Sequence, residues 1–217
     1  MVKKQIVKAD TTAGRRDRLR AALVAAAEDT IAKGGLEELR ARDLAEKAGC
    51  AVGAIYNAVD DLDQLVLLVN MRTLAALEQE LTTAHGKDGV ADTVDAAIAQ
   101  LVRLALAYLA FATANAPRWR TLFDHRMPGR EVPEWYRSEQ HRLFRHVEEP
   151  LRVLQPDAPP KRRALLARSL FSAVHGLVRL GLEEKLQAIP LTVLREQMTF
   201  FVTTIGRGMT SADNDDQ

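Results

Sequence analysis

The chain has 217 residues, 47% of them hydrophobic, enough for one large domain or a small and a medium one around a substantial core. Ala, Leu and Arg dominate while aromatic residues are few, at 5%, which favours helix over strand. A formal net charge of +1 excludes global basicity, and a single cysteine, Cys50, excludes an intrachain disulfide and a cysteine-built zinc site and fits a reducing cytoplasm.

In chain order, residues 1–13 read as a basic flexible arm. Lys3, Lys4, Lys8, Arg15, Arg16, Arg18 and Arg20 stand against Asp10 and Asp17, so the first 20 residues carry a net +5, suited to a polyanion or to a solvated leader. No long apolar stretch follows the lysines, so no secretory signal is expected. The first predicted helix spans 12–33, with Leu19, Leu23, Ala27 and Ile31 as its buried stripe and Gly34-Gly35 as its stop. Two short helices follow over 42–48 and 52–58. Within the run RARDLAEKAGCAVGAIYNAV, from Arg40 to Val59, the small Ala45 lets two helices approach closely. Gly49 supplies the left-handed backbone that ends the first of them, and Ile55 pins the second back onto it. Leu44, Ala48 and Tyr56 fill in around these three. This spacing reads as a helix-turn-helix, so residues 14–60 are assigned to a DNA-binding domain.

Residues 61–210 are assigned to a helical ligand-binding and dimerisation domain. A long helix starts near Asp61, with Leu65, Leu68, Arg72, Ala75 and Leu77, and stops before Gly86 and Gly89. Residues 90–116 form a mostly apolar helix ended by Pro117. Its part 101–116 is the nearest approach to the roughly 18 apolar residues of a membrane span, but Arg103 interrupts it, so no membrane partner is expected. The stretch 117–133 reads as a broken region, and 134–154 as an amphipathic helix bent or interrupted near Pro150. Pro156, Pro159 and Pro160 mark a loop. Two helices close the chain, over about 161–185 and 190–209. Leu166, Leu170, Val174, Leu177 and Leu180 recur along one, and Leu194, Met198, Phe201, Ile205 and Met209 along the other. Such a pair with a wide apolar face suits docking on a second copy of the chain. Residues 211–217 form an acidic, disordered tail. The expected fold is therefore all-α, with about nine helices and a three-helix head.

The run from Arg15 to Leu68 resembles the tetracycline-repressor family of bacterial regulators. The resemblance is carried by Gly34-Gly35-Leu36, Asp43-Leu44-Ala45, Ala48-Gly49, Gly53-Ala54-Ile55-Tyr56 and Leu65. Ser169 to Leu177, containing Phe171, His175 and Gly176, is similar to the subgroup with a His-Gly signature, with Phe171 where that subgroup has Trp. The resemblance implies a homodimer on a double-stranded DNA operator and an unidentified small-molecule effector. It implies that 52–58 is the recognition helix, that positions 52 and 57 read base edges, and that positions 40, 51, 54, 56, 58 and 62 grip phosphates. The candidate DNA-binding residues are thus Arg40, Arg42, Ala51, Val52, Gly53, Ala54, Tyr56 and Asn57. Tyr56 can donate to a phosphate oxygen, and Asn57 can pair with an adenine edge.

Several positions depart from the family. Ala51 and Ala54 stand where Ser and Thr are favoured, Ala58-Val59 replaces a His-Phe pair, and Leu62 replaces a Lys. Asp60-Asp61 adds local repulsion, while Arg40 and Arg42 add positive charge. The recognition helix is thus poor in polar side chains, and specificity would lean on DNA shape.

The candidate ligand pocket comprises Leu101, Tyr108, Phe111, Trp119, Phe123, Met127, Trp135, Tyr136, Phe144, Phe171 and His175, an apolar lining with few polar groups. Arg118, Arg120, Arg126 and Arg130 read as a solvated face, and Cys50 as a small packing residue. Two competing readings stand beside the inducible repressor. One is a DNA-binding or architectural protein with no inducer. The other is a helical enzyme built on His125, His141, His146, Glu148 and Glu149. No HExxH, CxxC, GxSxG or phosphate-loop pattern supports the enzyme, so no catalytic residue, metal or cofactor is assigned.

Overall fold

The computed structural model describes residues 12–86, 91–183 and 189–211; the arm up to residue 11 and the tail from 212 lie outside the described residues. Among those described, the chain is all-α, with nine α-helices, one 3-10 turn and no strand.

Helix α1 (Thr12–Gly34) takes in the last two residues of the expected arm and buries Leu23, Val24, Ala27, Thr30 and Ile31. A 3-10 turn (Leu36–Glu38) leads to α2 (Ala41–Lys47) and α3 (Val52–Ala58). Helix α4 (Leu62–His85) begins at Asp61, whose side chain accepts from the Gln64 backbone N–H at 2.7 Å and satisfies one of the orphan donors of the first turn. Its N-terminal part contributes Leu65 and Val69 to the core formed by α1–α3. Its C-terminal part contributes Leu77 and Leu81 to a second, larger core. One rigid helix therefore belongs to both the head and the body.

Helix α5 (Val94–Ala114) follows, capped by Thr93, whose hydroxyl accepts from Ala96 N–H at 3.2 Å. By length and mean hydropathy, 1.6, it could cross a membrane, but more than half of its most apolar window is buried against other helices of the chain, α4 among them. The expected broken region after Pro117 proves instead to hold a helix, α6 (Ala116–Asp124). Pro117 ends one helix and opens the next, because its missing N–H costs nothing in a first turn. Helix α7 (Glu134–Leu154) runs through Pro150 without a break, where the sequence predicted a bend or interruption. A mid-helix proline costs about 3 kcal/mol. Here Pro150 is buried beside Leu151 and Leu154, 0% and 1% exposed, and packing outweighs propensity.

Helices α8 (Pro160–Gly181) and α9 (Leu191–Ser211) close the chain. Leu194, Met198 and Val202 of α9 are buried in the body core. Gly206 lets α9 lie flush on α5, since a Cβ there would come within 2.8 Å of Ile98 Cγ1. Leu180 points outward and is 60% exposed.

Candidate functional site: an exposed helix and an apolar cavity

The turn between α2 and α3 is built as its residues dictate. Gly49 has φ of 66°, a left-handed conformation in which any side chain would be strained, and Cys50 N–H reaches back to Ala45 C=O at 2.9 Å. Ala45 and Ile55 are 2% and 0% exposed, so they lock α3 against α1 and α2. Cys50 is half-buried and packs against the same core.

With its inner face pinned, α3 turns the other face outward. Ala51, Val52, Gly53, Tyr56 and Asn57 are exposed, and Ala54 is half-buried beside them. Val52 and Tyr56 are 43% and 52% exposed. Arg42 is exposed at the start of α2; Arg40, also exposed, folds its guanidinium back onto the carbonyls of Glu37 and Leu39.

The departures from the family pattern have physical correlates. Ala58 and Val59 are buried and Leu62 is half-buried, all packed with the head core, so these positions fasten the head instead of facing solvent. Ala51 is the N-cap of α3 and makes no side-chain capping bond. The repulsion expected from Asp60-Asp61 is largely absorbed. Asp60 accepts from Gln64 Nε2 at 2.8 Å, and Asp61 is ion-paired with Arg130, which also grips Asp63. Arg130 thereby ties the loop after α6 to the start of α4. Glu28 of α1 makes a second tie, binding Arg72 of α4 at 2.7 Å and Arg118 of α6 at 2.9 Å. Of the four arginines read as a solvated face, Arg120, Arg126 and Arg130 are exposed, Arg130 while paired with Asp61 and Asp63, whereas Arg118 is half-buried against Glu28.

The body encloses a cavity of about 480 Å³ between α4, α5, α6, α7, α8 and α9. Leu101, Tyr108, Phe123, Phe144 and Phe171 line it. Phe111, also a candidate, is buried in the surrounding core and outside the wall. Met127 and Tyr136 belong to a separate small cluster with Leu67 and Leu74, and Trp135 is 42% exposed on the surface. Trp119 and His175 sit just behind the wall. Trp119 Nε1–H donates to Tyr108 Oη at 2.9 Å, and the Tyr108 hydroxyl lies 2.8 Å from His175 Nδ1, to which it can donate when that nitrogen is unprotonated. Burial pushes the Tyr108 pKa up, keeping the phenol a donor. Burial, reinforced by nearby Arg179, pushes the His175 pKa down, keeping the imidazole an acceptor.

Reading the sequence missed the polar part of the wall. Gln140, His141, His146, Arg168 and Ser172 all face the cavity. The 140–147 spacing on α7 carries that signal, since Gln140, His141, Phe144 and Val147 share one helical stripe. The expected acid–base cluster is assembled only in part: His146, Glu148 and Glu149 line a second, polar pocket with Glu78, while His125 and His141 lie elsewhere. His146 Nε2 pairs with Glu78 Oε1 at 3.0 Å, Glu149 with His85 at 3.3 Å, and His141 with Arg168. Among the described residues no three His, Cys, Asp or Glu are grouped to hold a metal.

Residues 101–203 match the family model described as the tetracyclin repressor-like C-terminal domain. The chain is similar to a solved protein of unknown function from Rhodococcus sp. RHA1, at 24% identity over 94% of this chain and 98% of that one, with a TM-score of 0.68. A tetR-family transcriptional regulator from Streptomyces coelicolor is similar at 18% identity over 91% and 84%, TM-score 0.66. RolR, solved in complex with resorcinol, is similar at 17% identity over 92% and 96%, TM-score 0.60. No curated protein matches the chain. At these identities the solved structures establish a shared fold.

Proposed function

We propose that this chain, whose residues 101–203 match the tetracyclin repressor-like C-terminal domain, is a homodimeric transcriptional repressor released from a palindromic operator by a small, mostly apolar ligand. The observation that carries the reading is α3, a helix pinned by Ile55 on one side and offering Val52, Tyr56 and Asn57 to solvent on the other. Such a rod fits the major groove, with Asn57 toward a base edge and Tyr56 toward the backbone. Residues 14–60 serve as the DNA-reading unit and 61–210 as the effector and dimer unit.

Dimerisation is supported by the outer faces of α8 and α9. Leu165, Leu180, Val193 and Phe200 are 64%, 60%, 41% and 68% exposed in one protomer. Large apolar side chains in that concentration suit an isologous interface, and two-fold symmetry matches a palindrome with half-sites about 34–36 Å apart. The effector reading rests on the cavity, which falls in the range of small-molecule sites, and on the resorcinol complex of RolR as an example within the fold. A ligand that fits one arrangement of α4 and α6 better than another shifts the population of head orientations through the Glu28 and Arg130 ties.

Selection of bound sequences from random duplex DNA tests the reading. One short palindrome, bound by two protomers, is the expected result; no sequence enrichment overturns it. The scarcity of polar side chains on α3 favours a second reading, a DNA-packaging protein, for which footprints would be diffuse instead of confined to one site.

A further inference from the structure

The cavity wall is mostly apolar, and apart from Tyr108 and His146 its polar groups gather along one edge, where α7 meets α8. His141 and Phe144 lie three residues apart on α7; Arg168, Phe171 and Ser172 lie three and four apart on α8, so each set shares a helical face. The Arg168 guanidinium lies over the Phe144 ring, 5.8 Å from its centroid, and its Nη2 donates to His141 Nε2 at 2.9 Å. Both partners are uncharged in this arrangement, since an imidazole that accepts at Nε2 is neutral.

Arg168 thus keeps its full positive charge. Other cationic groups at the junctions around it each face a carboxylate: Arg179 faces Asp124 at 3.0 Å, Arg118 and Arg72 share Glu28, and His146, on the same wall, faces Glu78. No Asp or Glu lines the cavity, and among the described residues none lies within ion-pair reach of Arg168. A fixed cation at the mouth of an apolar cavity, held by aromatic and imidazole contacts and left without a counter-charge, has the form of a head-group site.

We propose that the cavity takes an amphipathic anion, with its apolar body against Leu77, Leu101, Leu104 and Phe171 and one carboxylate at Arg168. A neutral head would cover the guanidinium without compensating it, and a cationic head would be repelled. A carboxylate matches the planar fork of arginine with two parallel bonds. Arg168 is exposed at the mouth, so the pair forms without full desolvation of either charge. This inference rests on the reading of the cavity as the effector site.

Isothermal titration of the full chain with decanoate, decyl phosphate, decanol and decylamine tests it. Decanoate is expected to bind roughly tenfold or more tightly than decanol, and decylamine not measurably. Arg168→Ala should bring decanoate down to the level of decanol while leaving decanol unmoved, and Arg168→Lys should restore part of the difference. Equal binding of decanoate and decanol to the wild type, or a preference that survives Arg168→Ala, overturns the anionic head group yet leaves the effector cavity standing. Decyl phosphate outbinding decanoate overturns the carboxylate in favour of a phosphate. If none of the four binds, the cavity falls as the effector site and the proposal with it.

Discussion

In the head, α1, α2, α3 and the first turns of α4 close over Leu23, Ala27, Ile31, Leu44 and Ile55, each 0% exposed. In the body, six helices ring a void of about 480 Å³. The two regions bury similar residues to opposite ends. The head closes on its own core, which suits a helix that must fit a groove. The body leaves a wall of Leu and Phe unpacked, so a molecule that fills it gains contacts the empty protein lacks, and only there can binding favour one arrangement over another. Glu28 and Arg130 join the two regions by ion pairs across element boundaries, so the head follows the body as a unit.

This contrast breaks most visibly under truncation of core side chains. Ile55→Ala should cost about 2–5 kcal/mol, because the closed head cannot collapse onto the gap. Leu104→Ala, in the cavity wall, should cost less, since it widens a space that already exists. Leu104→Phe should be tolerated within about 1.5 kcal/mol, as the added volume enters the void instead of overpacking. Urea denaturation of the three variants measures this; equal losses for Ile55→Ala and Leu104→Ala would erase the distinction between the regions.

The next effect concerns the outward face of the head. Asn57→Ala should relax base preference at one position in each half-site by about 1–3 kcal/mol. Tyr56→Phe, which removes only a hydroxyl, should weaken binding to all sequences alike. Randomised-site selection separates the two, and an unchanged preference for Asn57→Ala removes it as a base reader.

Legibility in the sequence differs between the regions for the same physical reason. The head is specified by neighbours: Ala45, Gly49 and Ile55 act within a dozen residues, so their spacing predicted the turn and the bounds of α3. The cavity is assembled from residues as far apart as Leu74 and Val202, and single-helix periodicity does not say which helices will fail to touch. Aromaticity found Tyr108, Phe123, Phe144 and Phe171, but it also drew in Trp135, which is on the surface, and Phe111, which is ordinary core. The polar edge at His141 and Arg168 was hidden because each residue, on its own helix, looks like a solvated position. Pro117 and Pro150 misled in different ways: one is harmless in a first turn, and the other is overridden by the burial of Leu151 and Leu154.

A gain of function in the head is expected to be smaller than these losses. Ala51 is the N-cap of α3 without a capping side chain. Ala51→Ser should add about 1 kcal/mol of stability by satisfying an orphan N–H of the first turn. It should also tighten DNA binding of every sequence together. Thermal melts check the first part; no gain in melting temperature would mean that the backbone of residue 51 is not held in cap geometry in solution.

Acidity should produce the smallest effect, and it falls on the body and its junction with the head. His175 accepts from Tyr108, and His125 Nε2 is buried without a hydrogen-bond partner, 3.6 Å from an Asp63 carboxylate already engaged by Arg130. Burial holds both imidazoles below the ordinary value of 6.5. The unfolded chain therefore binds these protons more readily than the folded one. Their contribution to stability is complete above about pH 6.5 and is lost as pH falls below it toward the folded values. Urea midpoints at about pH 7.5 and 5.5 should differ in that sense, with the lower pH less stable, and the difference should shrink in the double variant His125→Gln, His175→Gln. Protonated His175 can only donate to the Tyr108 oxygen, so the direction of that hydrogen bond behind the cavity wall is then fixed toward the tyrosine. An identical pH dependence in wild type and double variant would assign the acid sensitivity elsewhere, to groups outside the wall and the junction.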